Sequence, residues 1–290
     1  SGEHYKELEK RTGFELTGSG GMEEEATSSI KKESEILRLI TLARLKRTSL
    51  QTEYHGTRIR HTWTEVNYLA RSLEKYKKTN DLFDYTDMLE LFVQKGPQIC
   101  PHFELCLLDE AQDLSAIQWE IAHILDRKSE KMYCCGDDDQ AIYDFAGADV
   151  GAFLELPGGS EILEQSYRVP FTVHSLATRI SGRIRRRYPK KYFPRKEKGS
   201  VQHVFSVDQL DFSEGNWLVM SQAHYQTNPV AEHLKGGGYF FERSGYPSVP
   251  AKISSALLAW QKLQKDDLVN LEEAKILYGF MRGNGVRVQR

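Results

Sequence analysis

Cysteine, proline, long apolar runs and an excess of either charge are all scarce in this chain. Its four cysteines stand at positions 100, 106, 134 and 135 of 290 residues. None has zinc-type spacing and nothing suggests a disulfide framework, so they read as small core residues. No stretch approaches the ~18 apolar residues of a membrane span, and Ser1-Gly-Glu-His-Tyr5 lacks the character of a signal peptide. A reducing, cytoplasmic location is therefore expected. Lys and Arg number 39 against 41 Asp and Glu, a net charge of −2, so attraction for a polyanion has to come from local patches. Also missing is any Gly-x-x-x-x-Gly-Lys-Ser/Thr, the loop whose N–H groups and lysine cradle β- and γ-phosphates. Neither Gly18-Ser-Gly-Gly21 nor Gly236-Gly-Gly238 is followed by Lys and a hydroxyl residue, so neither replaces it.

What is present concentrates between residues 105 and 168. Leu105-Cys-Leu-Leu108 is an apolar run too short for a helix, which suits a strand buried on both faces of a parallel sheet. It ends in Asp109-Glu-Ala-Gln-Asp113, at the end of the strand where open α/β sheets bind ligands. Adjacent carboxylates there can divide the work of nucleotide hydrolysis: Asp109 holds Mg²⁺ and Glu110 orients and deprotonates water. The alternative is an acidic loop that caps the next helix through a Ser115/Gln118 capping box. A second strand over 131–135 ends in Gly136 and three aspartates, followed by Gln140, Tyr143 and Phe145. A glutamine beside carboxylates can contact a γ-phosphate, and exposed rings are platforms for bases; the alternative is that both rings pack inward.

Asp109-Glu-Ala-Gln-Asp113, Gly136-Asp-Asp-Asp-Gln-Ala-Ile-Tyr143 with Gly147-Ala-Asp149, and Gln165-Ser-Tyr-Arg168 resemble motifs II, III and IV of the UvrD/Rep family of superfamily 1 DNA helicases. Three motifs in order make the resemblance specific; it is dense over residues 83–195 and thinner on either side. It implies an ATP-dependent helicase or translocase with ATP and Mg²⁺ as cofactors, acting on single-stranded DNA and single-strand/duplex junctions. By the same resemblance Asp109 is the metal ligand, Glu110 the catalytic base, Gln140 the link from γ-phosphate to DNA, and Arg168 a cis arginine finger. Tyr143 and Phe145 match an aromatic pair that stacks on bases. Ala146 stands where many relatives carry arginine.

The implied fold is α/β: parts of two RecA-like parallel-sheet domains of P-loop NTPase type, with a helical inserted subdomain. Residues 1–82 are assigned to that insertion, with helices expected over 5–13, 30–47 and 64–76 and a glycine- and serine-rich loop between the first two. Residues 83–157 form the partial first core, opened by a helix capped near Asp84 or Thr86 and containing a crossover helix over 114–125 and a short helix over 150–156. Residues 158–264 form the partial second core, with a strand over 161–164 just before Arg168, a helix over 171–188, strands over 201–207 and 217–220, and a helix over 224–235. Residues 265–290 begin a further helical insertion.

Between residues 179 and 198 ten Lys and Arg face one acid, Glu197, with Tyr188, Tyr192 and Phe193 interleaved. The cluster is the footprint expected of phosphate contacts, with Arg185, Arg186, Lys190 and Lys191 as candidates. Without a phosphate loop and without motifs V and VI, the chain reads as a central piece of a longer helicase, inactive in isolation. Two other readings are a truncated, non-catalytic DNA-binding or regulatory module, and a nuclease using Asp109, Glu110 and Asp137 to Asp139 as a metal cluster.

Overall fold

The computed structural model describes residues 2–16 and 34–281. The glycine- and serine-rich stretch, the expected helix start over 30–33 and the end of the last region lie outside the described residues. Two compact units divide the chain, Ser1–Val201 and Gln202–Arg290.

The first unit opens with helices α1 (Gly2–Thr12), α2 (Glu35–Leu45), α3 (Leu50–Gly56), α4 (Trp63–Thr79) and α5 (Tyr85–Ile99). Leu8, Ile36, Leu39, Val66 and Leu69 close a core among the first, second and fourth of these, each such side chain contributing about 1.5–3 kcal/mol on burial. Thr62 and Glu65 form a capping box that starts α4. Asp84 caps α5, as its position ahead of an apolar face predicts. The Arg44 guanidinium of α2 bonds Asp84, Asp87 and Glu90, while Lys77 of α4 bonds the same two aspartates. Burial works against the Arg44 charge, but those carboxylates outweigh it and hold the guanidinium firmly protonated.

Strands β1 (Phe103–Leu108) and β2 (Ser129–Cys134) pair in parallel, joined by crossover helix α6 (Ala116–Arg127). This is the expected βαβ unit. Gln118 reaches back to the Ser115 N–H at 2.9 Å, so the capping contact expected there is present at the start of α6. The burial differs from expectation. Leu108, Met132 and Cys134 pack against Ala111, Trp119 and Ala122, and Phe153 of α7 (Val150–Leu154) joins them. On the opposite face Leu107 is 68% and Tyr133 58% exposed. Side chains alternate across a strand, and among the described residues helices cover one face only.

Strand β3 (Gln165–Pro170), helix α8 (Phe171–Ser181) and strand β4 (Phe193–Arg195) make a second parallel pair. The strand expected over 161–164 lies a few residues later, and Arg168 falls inside it. Leu163 is 83% exposed, so nothing packs there to hold an extended segment. Helix α8 stops at Ser181 rather than 188: Gly182 follows, and the run after it offers charge but no apolar stripe.

The second unit holds α9 (Asn228–Gly236), the two-residue antiparallel strands β5 (Glu242–Arg243) and β6 (Tyr246–Pro247), α10 (Ala251–Gln264) and α11 (Leu271–Met281). The stretches 201–207 and 217–220, expected as strands, are irregular. Leu218 and Met220 lie about four-fifths exposed, and an apolar run without a pairing partner has no reason to stay extended. No described helix is long and apolar enough to cross a membrane.

Candidate functional site

The ends of β1 and β2 are stitched together. Cys135 N–H donates to the Leu108 carbonyl at 2.7 Å, and Ala111 N–H donates to the Cys135 carbonyl at 2.9 Å. The turn after β1 therefore sits against the turn after β2, bringing residues 109–113 beside 136–140. Asp109 is exposed and accepts the Glu110 N–H on Oδ1 at 2.9 Å. Glu110 adopts left-handed backbone angles, φ 51° and ψ 39°, a conformation that costs a non-glycine residue roughly 1–2 kcal/mol.

Gln112 links the two turns. It is only 1% exposed; its Nε2 donates to Glu110 Oε2 at 2.8 Å and its Oε1 accepts the Asp137 N–H at 2.9 Å. Gly136 is required beside it, since a Cβ there would lie 2.6 Å from Gln112 Oε1 and 2.9 Å from the Phe153 ring. Asp137 passes the connection on: Gln140 Nε2 donates to its Oδ2 at 2.6 Å. Glu110, Gln112, Asp137 and Gln140 thus form one hydrogen-bonded chain, in which Asp137 takes part through its backbone N–H toward Gln112 and through its carboxylate toward Gln140.

Lys190 enters from the segment after α8. Its ammonium is 2.6 Å from Asp137 and also bonds Asp138, and both Lys190 and Asp138 are nearly sealed from solvent at 5% and 3%. Tyr188 N–H donates to Asp138 at 2.7 Å, and Arg187 grips Asp139. Burial alone would raise the Asp137 carboxyl, but the bonds from Lys190 and Gln140 hold it below its ordinary value. Burial would likewise lower Lys190, and Asp137 and Asp138 instead raise it. Burial pushes the Tyr192 hydroxyl up, with Asp137 adding to the effect. Asp113 behaves oppositely: burial and the Glu110 charge raise its carboxyl, and its buried Oδ1 has no hydrogen-bond partner among the described residues.

The structure thus brings together Asp109, Glu110 and Gln140, and adds Gln112 and Asp137 between them. Arg168 is exposed on β3, and among the described residues no hydrogen bond or ion pair joins it to the others. Tyr143 and Phe145 are exposed, 46% and 61%, with ring centroids 6.0 Å apart and planes tilted by 45°. Of the basic candidates, Arg185 and Lys191 stand exposed and Arg186 pairs with Glu155 on the surface. Lys190 faces inward, committed to aspartates. Asp137 to Asp139 are engaged by Lys190 and Arg187, which leaves them poorly placed as the metal cluster of a nuclease, and among the described residues no three-ligand group that could hold a metal forms. Gln112 and the Lys190–aspartate contact escape sequence reasoning because their partners lie 25 and about 50 residues away; a buried amide between two acidic clusters leaves no periodic signal.

A model of the family described as UvrD/REP helicase N-terminal domain matches residues 5–158. The chain is 27% identical over 258 residues to a "Probable DNA helicase II homolog" of Rickettsia felis, covering 74% of this chain and 39% of that protein. It is 27% identical over 246 residues to "DNA helicase II" of Rickettsia typhi, covering 70% and 37%. It is also 27% identical over 154 residues to "ATP-dependent DNA helicase PcrA" of Leuconostoc citreum, covering 49% and 20%. The chain spans about two fifths or less of these curated relatives. With the family match covering just over half of the 290 residues, from α1 through α7, the chain belongs to the UvrD/REP helicase family.

Proposed function

We propose that this chain supplies the hydrolytic centre and part of the DNA track of a cytoplasmic, ATP-dependent DNA helicase or translocase of UvrD/Rep type, working on single-stranded DNA and single-strand/duplex junctions. The observation that carries the proposal is the chain Glu110–Gln112–Asp137–Gln140, because it ties a carboxylate pair at a strand end to the loop that bears two exposed rings.

The donor set fits the cofactors the family implies. Asp109 keeps an oxygen open at the end of β1 and would hold Mg²⁺, an oxygen-seeking cation bound through one or two carboxylates together with phosphate oxygens. When bound, Mg²⁺ neutralises charge developing on the phosphates. Glu110, held by Gln112, takes the proton of the attacking water. Gln140 senses the γ-phosphate and passes its presence to Tyr143 and Phe145, three and five residues further along the chain. Arg168 serves as the arginine finger once β3 is brought to the cleft, stabilising negative charge. Tyr143 and Phe145 stack on bases, each stack being worth ~1–3 kcal/mol, while Arg185, Arg186 and Lys191 contact phosphates. In this proposal the two parallel strand pairs belong to two RecA-like domains and residues 1–82 to a helical insertion.

The test is ATP hydrolysis with and without single-stranded DNA, on this chain and on a version extended in both directions. The expected result is DNA-stimulated turnover by the extended protein, abolished in Glu110→Gln, and no turnover by these 290 residues alone, which carry no phosphate loop. Turnover by Glu110→Gln at the parent rate would remove Glu110 from its role.

A further inference from the structure

The loop that displays Tyr143 and Phe145 has no cation of its own. From Gln140 to Asp149 it carries two acids, Asp144 and Asp149, and neither Lys nor Arg. Rings set on a net-acidic loop can stack bases, yet they repel the phosphates that join those bases. A positive charge has to come from elsewhere in the fold.

Helix α2 lies along this loop. Leu42 Cδ1 and Leu45 Cβ approach the place where a Cβ on Gly147 would stand, at 3.3 and 3.5 Å. Gly147 has φ +96°, so the close approach and the backbone both favour glycine. One turn N-terminal to Leu42, on the same stripe of the helix, Arg38 reaches the Phe145 carbonyl through a long 3.5 Å contact from Nη2. Arg38 is exposed and makes no ion pair among the described residues. Lys46, the other cation against the loop, is held by Glu53 at 3.2 Å. The guanidinium of Arg38 therefore stands beside the exposed rings with most of its donors uncommitted, and its planar fork suits phosphate oxygens.

We propose that Arg38 is a phosphate-binding residue of the single-stranded DNA site, holding the phosphodiester next to the base stacked on Tyr143 and Phe145. Its contribution comes from the helical region, across from a loop that could not supply it. The assignment rests on the stacking role given to the two rings under Proposed function.

The experiment measures binding of a fluorescein-labelled oligothymidine to this chain by anisotropy between about 50 and 200 mM salt, where each phosphate contact on a single strand adds ~0.7 to the slope of log K against log salt. Arg38→Ala is expected to weaken binding most at low salt and to flatten the slope by about 0.7. Arg38→Lys should retain the parental slope, and Arg38→Glu should flatten it further. Phe145→Ala and Tyr143→Ala should lower affinity at every salt concentration without changing the slope. If the ring variants lose affinity while Arg38→Ala keeps the parental slope, the stacking role stands and the assignment of Arg38 is overturned. If the ring variants, or an absence of binding by the parent, show that no base stacks here, the stacking role fails and this assignment fails with it.

Discussion

Two stretches that are neighbours in sequence are held in opposite ways. Residues 109–140 are held by side chains: Gln112 and Asp138, with Lys190 from the segment after α8, are nearly sealed from solvent, and each of these three has a charged or amide partner, while Asp113 Oδ1 has none among the described residues. Residues 143–147 are locked by backbone and by α2, with hydrogen bonds from Ala146 and Ala148 N–H to the Tyr143 carbonyl, while both rings face outward. The difference separates positioning from contact. Under the proposed function, the carboxylate and amide groups meant for phosphate are tied by hydrogen bonds through Gln112 and Asp137, whereas the rings meant for a base stand open on a fixed frame.

The largest effect should come from breaking the first arrangement at its cation. Lys190→Ala leaves Asp137 and Asp138 without the ammonium that compensates them, and removing one partner of a buried ion pair costs about 3–5 kcal/mol. Urea unfolding of the first unit should show a loss of that order; an unchanged midpoint would mean that the aspartates find water or another cation. Gly136→Ala should come next, at roughly 1–3 kcal/mol, since the new methyl meets Gln112 Oε1 and the Phe153 ring and one of them must move. Gln112→Leu in the Gly136→Ala background tests whether the strain runs through Gln112: the two effects should be clearly non-additive in a double-mutant cycle.

Much of this was legible beforehand, for reasons that differ by element. The parallel pair of β1 and β2 follows from short apolar runs separated by one stretch of helical spacing, and α5 begins where Asp84 precedes an apolar face. The pairing of 109–113 with 136–140 follows from the two strands being parallel neighbours, because their carboxyl ends then fall together. What could not be read was which side of β1 is covered, since Leu105 and Leu107 are as apolar as Leu108 and only the position of α6 distinguishes them. Nor could Lys190 be told from Lys191: one residue turns inward to aspartates and its neighbour outward, a distinction of backbone direction rather than composition. The strands expected over 201–207 and 217–220 failed because β propensity expresses itself only against a partner.

Acid and base should probe the same arrangement with a smaller, graded effect. The Asp137 carboxyl is held low, so its contribution is present above the unfolded value of about 3.9 and is lost as pH falls through the folded value. Lys190 is held high, so its contribution is complete below about 10.4 and disappears as pH rises through its folded value; Tyr192, also raised, weakens the alkaline side in the same sense. Asp113 opposes Asp137, because a raised carboxyl stabilises the fold only while protonated. Stability measured across pH should therefore be flat near neutrality and fall at both extremes, and Asp113→Asn should raise the neutral plateau while leaving the most acidic points unchanged. A variant that shifted all points equally would point to packing rather than charge.

The smallest stability effect belongs to the second arrangement and tests the contrast most sharply. Tyr143→Ala and Phe145→Ala remove rings whose centroids lie 6.0 Å apart but which are 46% and 61% exposed, so unfolding free energy should change by no more than about 0.5 kcal/mol. The backbone that positions them is untouched, because its bonds run from Ala146 and Ala148 N–H to the Tyr143 carbonyl. Binding of single-stranded DNA should nonetheless fall by ~1–3 kcal/mol for each base that loses its platform. A residue whose removal costs little folding energy but much affinity is available to a ligand, whereas Lys190 should show the reverse. If both rings instead prove costly to stability, they pack more tightly than their exposure indicates, and the separation between a fixed frame and open contact groups does not hold.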